Sequence, residues 1–304
     1  MTAPDSTSVP PRGPAEWNRA AEERADPAAL ERARADAATR VLVVSADQAP
    51  LSTPAALLWV APAEVPGGAE WALLGRDPDG AAVLAAVFPA SEDPLFPAPA
   101  GWAGLRMIGG ALSATDAGIF VEAVSLGRWI LDAPHCPACG ARTDLVDAGW
   151  SRRCPNCGRQ HFPRTDPAVI VAITSATDPD VLLLGSNALW GADRYSCFAG
   201  FVEAGESLEA AVRREVAEES GIAVETVSYR GSQAWPYPRS LMVGFLAAAR
   251  DDDDARPDGE EIVAVRWFTR DEIGAGLVGE GDFTLPGRAS IAHRLISDWH
   301  AGRP

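Results

Sequence analysis

Residues 198–222 read FAGFVEAGESLEAAVRREVAEESGI, a glycine-bearing loop that feeds a helix with acids at fixed intervals. Ser207 suits the N-cap, where a hydroxyl satisfies a free backbone N–H of the first turn. Gly221 suits the stop, because the residue just past a helix end often needs positive φ. Between them Leu208, Ala211, Val212 and Val216 form one apolar stripe at helical spacing. Glu215 and Glu219 are i,i+4 neighbours, and Glu218 is three positions beyond Glu215, so three carboxylates share one sector. Like charges at that spacing destabilise a bare helix by roughly a few tenths of a kcal/mol per pair. A hard divalent cation reverses that cost, and Mg²⁺ sites commonly join carboxylates to substrate phosphates. A solvated acidic face is the commoner meaning of a glutamate run. It leaves Gly200, Arg214 and the set of intervals unexplained together, so the stretch is read as a site for phosphate-bound metal.

The 304 residues are enough for two or three domains with real cores. The N-terminus is polar and proline-rich with no apolar h-region, so no signal peptide is expected. No apolar run reaches the roughly 18 residues of a membrane span, and a cytoplasmic protein without membrane association is expected. The net charge of −16 argues against broad binding to a nucleic-acid backbone, so an anionic substrate has to be recognised locally. The chain has no lysine, which we take as coding bias.

Residues 1–15 are expected to be a disordered tail. A mixed α/β domain is expected over 16–131, with a short helix after Asp26-Pro27 and a helix over Asp116–Leu131. Strands are expected at Arg40–Ser45, Ala56–Ala61, Glu70–Gly75 and Ala82–Phe88, separated by turn residues such as Asp77-Pro78-Asp79-Gly80. This region carries no chemical motif and reads as a scaffold or dimer-forming domain.

Over 132–165, Cys136-Pro137-Ala138-Cys139-Gly140 and Cys154-Pro155-Asn156-Cys157-Gly158 form two knuckles, with fourteen residues between Cys139 and Cys154. Two such knuckles signal a four-thiolate metal ribbon, with the glycine after each second cysteine allowing a tight turn. Tetrahedral Zn²⁺ suits it, and rubredoxin-like iron uses similar knuckles. Disulfides do not suit the expected compartment. Four thiolates leave no open position, so the metal is structural, and His135 and His161 read as bystanders. Cys197 reads as a small core residue.

From 166 to 304, apolar strands at Ala168–Thr174, Val181–Leu184, Thr226–Ala234, Leu241–Ala249 and Glu261–Phe268 surround the acidic helix. A short helix starts near Asp271, and Ser290–His300 is amphipathic. The pattern implies an α/β/α sandwich. Asp251–Asp254 reads as an exposed, solvated loop.

Residues 198–222 carry the full signature of the Nudix hydrolases. Downstream, Ser232-Gln233-Ala234-Trp235-Pro236-Tyr237-Pro238-Arg239-Ser240 resembles the SQPWPFPxS signature of the NADH pyrophosphatase branch, with Ala234 for proline and Tyr237 for phenylalanine. The ribbon and an Ala292-His293-Arg294-Leu295-Ile296 segment match the same branch, so the resemblance covers roughly residues 15–300. The fold it implies is an N-terminal mixed α/β domain, a zinc ribbon and a C-terminal Nudix sandwich.

The resemblance implies metal-dependent hydrolysis of the diphosphate of NAD(H) to NMN(H) and AMP, and removal of NAD caps from RNA. It implies catalytic Mg²⁺ or Mn²⁺ held by Glu215, Glu219, Glu261 and the carbonyl of Ala199, with Glu218 as a ligand or a base. Water activation falls on Glu219 or Glu218. Arg214 is expected to pair with and orient a box glutamate, and Glu206 to support the loop. Gln233 to Ser240, Phe162, Phe201 and the backbone of Ala292 map to substrate contacts. Trp235 and Tyr237 offer rings for base stacking, worth roughly 1–3 kcal/mol per base. An acidic contact that the branch often has before the ribbon's tryptophan is here Gly149. A homodimer is also implied. Two other readings compete: a Nudix hydrolase of ADP-ribose or another nucleoside diphosphate derivative, and a non-catalytic nucleotide sensor.

Overall fold

The structure, a computed structural model, describes residues 17–302 except Ala192. The tail expected over 1–15 lies outside the described residues. The chain packs as two compact units. One comprises Thr165–Ala234 and the described part of Ser240–Pro304; the other comprises the described part of Pro11–Arg164 together with Trp235–Arg239. Among the described residues no helix is long and apolar enough to cross a membrane.

The N-terminal unit begins with α1 (Ala29–Ala35), then β1 (Arg40–Ser45), β2 (Gln48–Thr53), β3 (Ala56–Leu57), β4 (Glu70–Arg76), β5 (Ala82–Phe88), β6 (Trp102–Gly104), α2 (Leu105–Ile108) and α3 (Ala114–Asp132). The sheet runs β3-β2-β1-β5-β4, with β6 paired to β2 and β1 parallel to β5. β1 is buried on both faces, as a central strand flanked by helices should be. Leu42 and Val44 meet Phe120 and Val124 of α3, while Val41 and Val43 pack with Ala33 and Phe88 on the other side. The strand expected over Ala56–Ala61 shrinks to two residues plus an isolated bridge between Val60 and Val41.

α3 carries a buried acid. Glu122 is only 7% exposed, and its Oε1 lies 3.2 Å from Arg19 Nη2. Burial raises its pKa to about 7, against the opposing pull of Arg19 and Arg24. A carboxyl that binds its proton more tightly when folded adds stability at low pH. That contribution is lost as pH rises from about 4.5 towards 7. Glu122→Gln is therefore expected to flatten the pH dependence. Between pH 4.5 and pH 8 the wild type should lose up to about 3 kcal/mol more than the variant, read from urea unfolding at each pH.

The ribbon adds β7 (Asp144–Val146), β8 (Ser151–Arg153) and β9 (Gln160–His161) as a small antiparallel sheet. Buried Arg152 donates to the carbonyls of Thr143 (3.1 Å) and Ile130 (2.6 Å), tying the ribbon to the end of α3. Trp150 donates its indole N–H to Leu73 O at 2.7 Å.

The C-terminal unit holds β10 (Asp166–Thr174), β11 (Val181–Asn187), β12 (Phe198–Phe201), α4 (Leu208–Ser220), β13 (Val224–Trp235), β14 (Ser240–Ala249), β15 (Ile262–Thr269), α5 (Arg270–Val278) and α6 (Ile291–His300). The sheet order is β13-β14-β10-β11-β15, with β12 on β10. Alternation along β10 builds two cores. Val169, Val171 and Ile173 meet Val212 and Val216 of α4, and Ile170 and Ala172 meet Ile291, Leu295 and Ile296 of α6. This is the α/β/α sandwich expected. The aspartate run is not wholly solvated: Asp252 accepts from Ser175 Oγ (2.6 Å), Ala176 N (2.8 Å) and Thr177 Oγ1 (2.8 Å), closing the β10–β11 turn.

Candidate active site

The caps of α4 fall where the sequence puts them. Ser207 Oγ accepts from Ala210 N at 3.2 Å, and Gly221 ends the helix at φ 72°. α4 thus presents Glu215, Glu218 and Glu219 beside β12. Gly200 of β12 makes the approach possible, because a Cβ there would overlap the carboxylate of Glu215.

Arg214 organises the acids. Its Nε and Nη2 reach both oxygens of Glu206 at 2.9 and 2.8 Å, a bidentate pair. Nη1 donates to Glu215 Oε1 (2.8 Å) and Glu218 Oε2 (3.1 Å), and Nη2 also donates to the carbonyl of Phe201 (2.9 Å). Glu206 in turn accepts from Glu203 N at 3.1 Å, so it braces the loop that precedes the helix.

Glu219 is 5% exposed and accepts from Ala199 N at 3.3 Å. Its pKa is pushed up to about 8, first by burial and then by the charges of Glu261 and Glu215. Glu215 is also raised, mainly by burial, with Arg214 opposing. Glu261, at the foot of β15, accepts from Asn187 Nδ2 at 3.2 Å. Glu218 keeps a 60% exposed side chain. Buried Glu219 and half-buried Glu215, both raised first by burial and further by neighbouring carboxylates, form an environment deficient in positive charge, and that donor set of hard oxygens fits a divalent ion. Among the described residues, the four cysteines are the one group of three or more potential ligands whose atoms all lie within 4.8 Å of one another. The glutamates face a common region without closing to that distance.

The cysteine site is tight. Cys136 and Cys157 sulfurs are 3.6 Å apart and Cys139 and Cys154 sulfurs 3.5 Å apart, while Gly140 and Gly158 turn at φ 74° and 75°. The backbone N–H of Ala141 is the largest influence lowering the Cys139 thiol to about 6. The Nε2 of His161 lies 3.2 Å from Cys136 Sγ, within hydrogen-bond distance of that sulfur. Cys197 is a buried core residue, as expected, with its thiol pushed up to about 12 by burial.

The residues mapped to substrate divide. Phe201 is 54% exposed and Phe162 63% exposed, unlike core phenylalanines. Gln233 is buried, and its amide is fully engaged: Nε2 donates to Ala289 O and Oε1 accepts from Ile291 N, both at 2.7 Å. It latches β13 to the start of α6, where Ala292 is buried. Pro236 and Ser240 are buried, whereas Ala234 and Pro238 are exposed. Trp235 and Tyr237 meet edge to face at 5.3 Å, and the guanidinium of Arg106 lies 3.8 Å from the Tyr237 ring centre. One face of Tyr237 is therefore taken by arginine. The glycine at 149 is also explained: φ is 94°, and a Cβ would stand 2.6 Å from that of Ala72, so no acid fits there.

A carboxylate-bearing helix capped by serine and glycine, folded against a glycine strand in an α/β/α sandwich, defines the class. The chain belongs to the Nudix hydrolases, and residues 164–285 match the NUDIX domain. Its place within the class follows from residues 132–162, which match the NADH pyrophosphatase zinc ribbon domain, and residues 28–129, which match the NADH pyrophosphatase-like rudimentary NUDIX domain. It is 42% identical over 242 residues to the NAD-capped RNA hydrolase NudC of Mycobacterium tuberculosis (strain ATCC 25618 / H37Rv), covering 76% of each chain. It is 38% identical over 199 residues to the human NAD-capped RNA hydrolase NUDT12, covering 62% of this chain and 42% of that protein. A solved NUDIX hydrolase from Nitrosomonas europaea is 25% identical with a TM-score of 0.42, covering 56% of this chain and 94% of that one.

Proposed function

We propose that this chain hydrolyses the diphosphate of NAD(H) to NMN(H) and AMP, and that the same site removes NAD caps from RNA. The observation that carries the reading is the Arg214-ordered set of acids on α4 against Gly200, in a chain that also has the SQAWPYPRS stretch. Glu215, Glu219 and Glu261, with the carbonyl of Ala199, would hold Mg²⁺ or Mn²⁺. When bound, such an ion neutralises charge on the diphosphate and lowers the pKa of a water.

The chain's own groups do the rest. Arg214 fixes Glu215 and Glu218 in direction, and Glu206 fixes Arg214. Burial of Glu219 suits it to ligation. Exposed Glu218 suits the acceptance of a proton from the attacking water, whose oxygen adds to phosphorus as the bridging P–O bond breaks. Exposed Phe201, at the end of β12 on the unit that carries α4, supplies a stacking face. The four cysteines fit structural zinc. We read the working form as a cytoplasmic homodimer, which equilibrium sedimentation would test.

Product analysis after incubation with NADH and Mg²⁺ is expected to show NMNH and AMP in equal amounts. Release of ribose 5-phosphate and AMP from ADP-ribose at a higher kcat/KM would replace this reading with the broader nucleoside diphosphate one. With NAD-capped RNA, release of NMN is expected at a rate that changes little with RNA length, given the net charge of −16.

A further inference from the structure

We propose that Arg106 is a positioning residue for dinucleotide recognition: laid on Tyr237, it sets the geometry of the ring-bearing loop Trp235–Arg239. The inference rests on the reading above, which puts that loop on substrate. α2 is a single turn anchored by buried Leu105 and Ile108, so Arg106 and the 84% exposed Met107 project from it. The Arg106 guanidinium carbon lies 3.8 Å from the ring centre of Tyr237 and 5.5 Å from that of Trp235. Arg128 of α3 adds a second cation 5.3 Å from Tyr237. Asp47 braces both supports: its carbonyl accepts from Leu105 N at 3.0 Å, starting α2, and its carboxylate lies 4.0 Å from Arg128 Nη2.

The Tyr237 ring is held by the guanidinium groups beside it and by its edge-to-face contact with Trp235. A guanidinium over an aromatic face is attracted by the ring's quadrupole and, being planar, stacks in a way that an ammonium does not. The loop's prolines stiffen its backbone, and Arg106 fixes where that stiff segment points.

The test compares the wild-type chain with Arg106→Gln and Arg106→Lys. Arg106→Gln is expected to raise KM for NADH about three- to tenfold with kcat within about twofold. Arg106→Lys should recover part of the loss. Amide hydrogen exchange over residues 234–241, measured on the unliganded chain, should be faster in Arg106→Gln at an unchanged melting midpoint. Wild-type exchange in that variant overturns the proposal, and so does an equal fall in kcat and kcat/KM. If the wild type makes no NMNH, the functional reading fails instead, and the exchange measurement still decides whether Arg106 holds the loop.

Discussion

Glu219→Gln is expected to cut NADH hydrolysis severely and at the same time to stabilise the ion-free protein. The carboxyl is buried at the centre of the site, beside Glu215 and Glu261, with a single backbone N–H from Ala199 as compensation. An amide keeps that hydrogen bond through its oxygen and removes the cost of burying charge near two like charges. Its folded pKa of about 8 lies above the unfolded value. Without metal the stabilising protonated form is therefore present at low pH and is lost as pH rises from about 4.5 through 8. The variant should gain most at pH 8 and above, by an amount on the order of a few kcal/mol. Activity should fall by about 10²- to 10⁴-fold, the range for losing a group that acts at the reacting centre. The measurement is thermal unfolding in EDTA at pH 5 and pH 8.5, beside NADH turnover in Mg²⁺. A variant that melts at or below the wild type at pH 8.5 would show that Glu219 is not held as a buried, repelled acid. Saturating Mg²⁺ should reverse the order of stability, because the wild type alone then gains from binding.

The parts of this molecule that could be read from sequence are those whose physics is local. α4 announces itself through a serine cap, a glycine stop and a 3.6-residue apolar stripe, all of which occur as expected. The cysteine knuckles are likewise set within a few residues. What escaped notice depends on partners far along the chain. β2 contains Pro50 and polar ends, and it becomes a strand by pairing with β1, β3 and β6. Gln233 sits in a recognisable stretch, yet its amide is committed to residues 56 and 58 positions away, so it acts as a latch. Asp252 looks like its three neighbours until Ser175 and Thr177 are brought to it. Arg106 lies in a four-residue helix with no periodicity to mark it, and its meaning depends on a ring 131 positions downstream. Gly149, an evident departure from the family pattern, is explained only by the closeness of Ala72.

Cys154→Ser is expected to empty the four-thiolate site and to unfold more than the ribbon. Cys154 is 1% exposed, and its sulfur lies among three others, so a serine neither matches the softness of the donor set nor reaches as far. Structural zinc contributes roughly 10–16 kcal/mol in small ribbons and fingers, so most of the folding free energy of the three short strands β7, β8 and β9 goes with it. The damage should spread because the ribbon is wired to the N-terminal unit by buried polar contacts. If the ribbon opens, Arg152 leaves the carbonyl of Ile130 and Trp150 leaves that of Leu73. Each exposed or unpaired group then costs about 1–3 kcal/mol where the partner stays buried. Metal analysis should find about one zinc per wild-type chain and none in the variant, with iron absent from both. The melting transition of the N-terminal unit should fall or vanish. Full zinc content and wild-type melting in Cys154→Ser would mean that the metal is held by another set, and His161, 3.2 Å from Cys136, is the residue that would then have to supply the fourth bond.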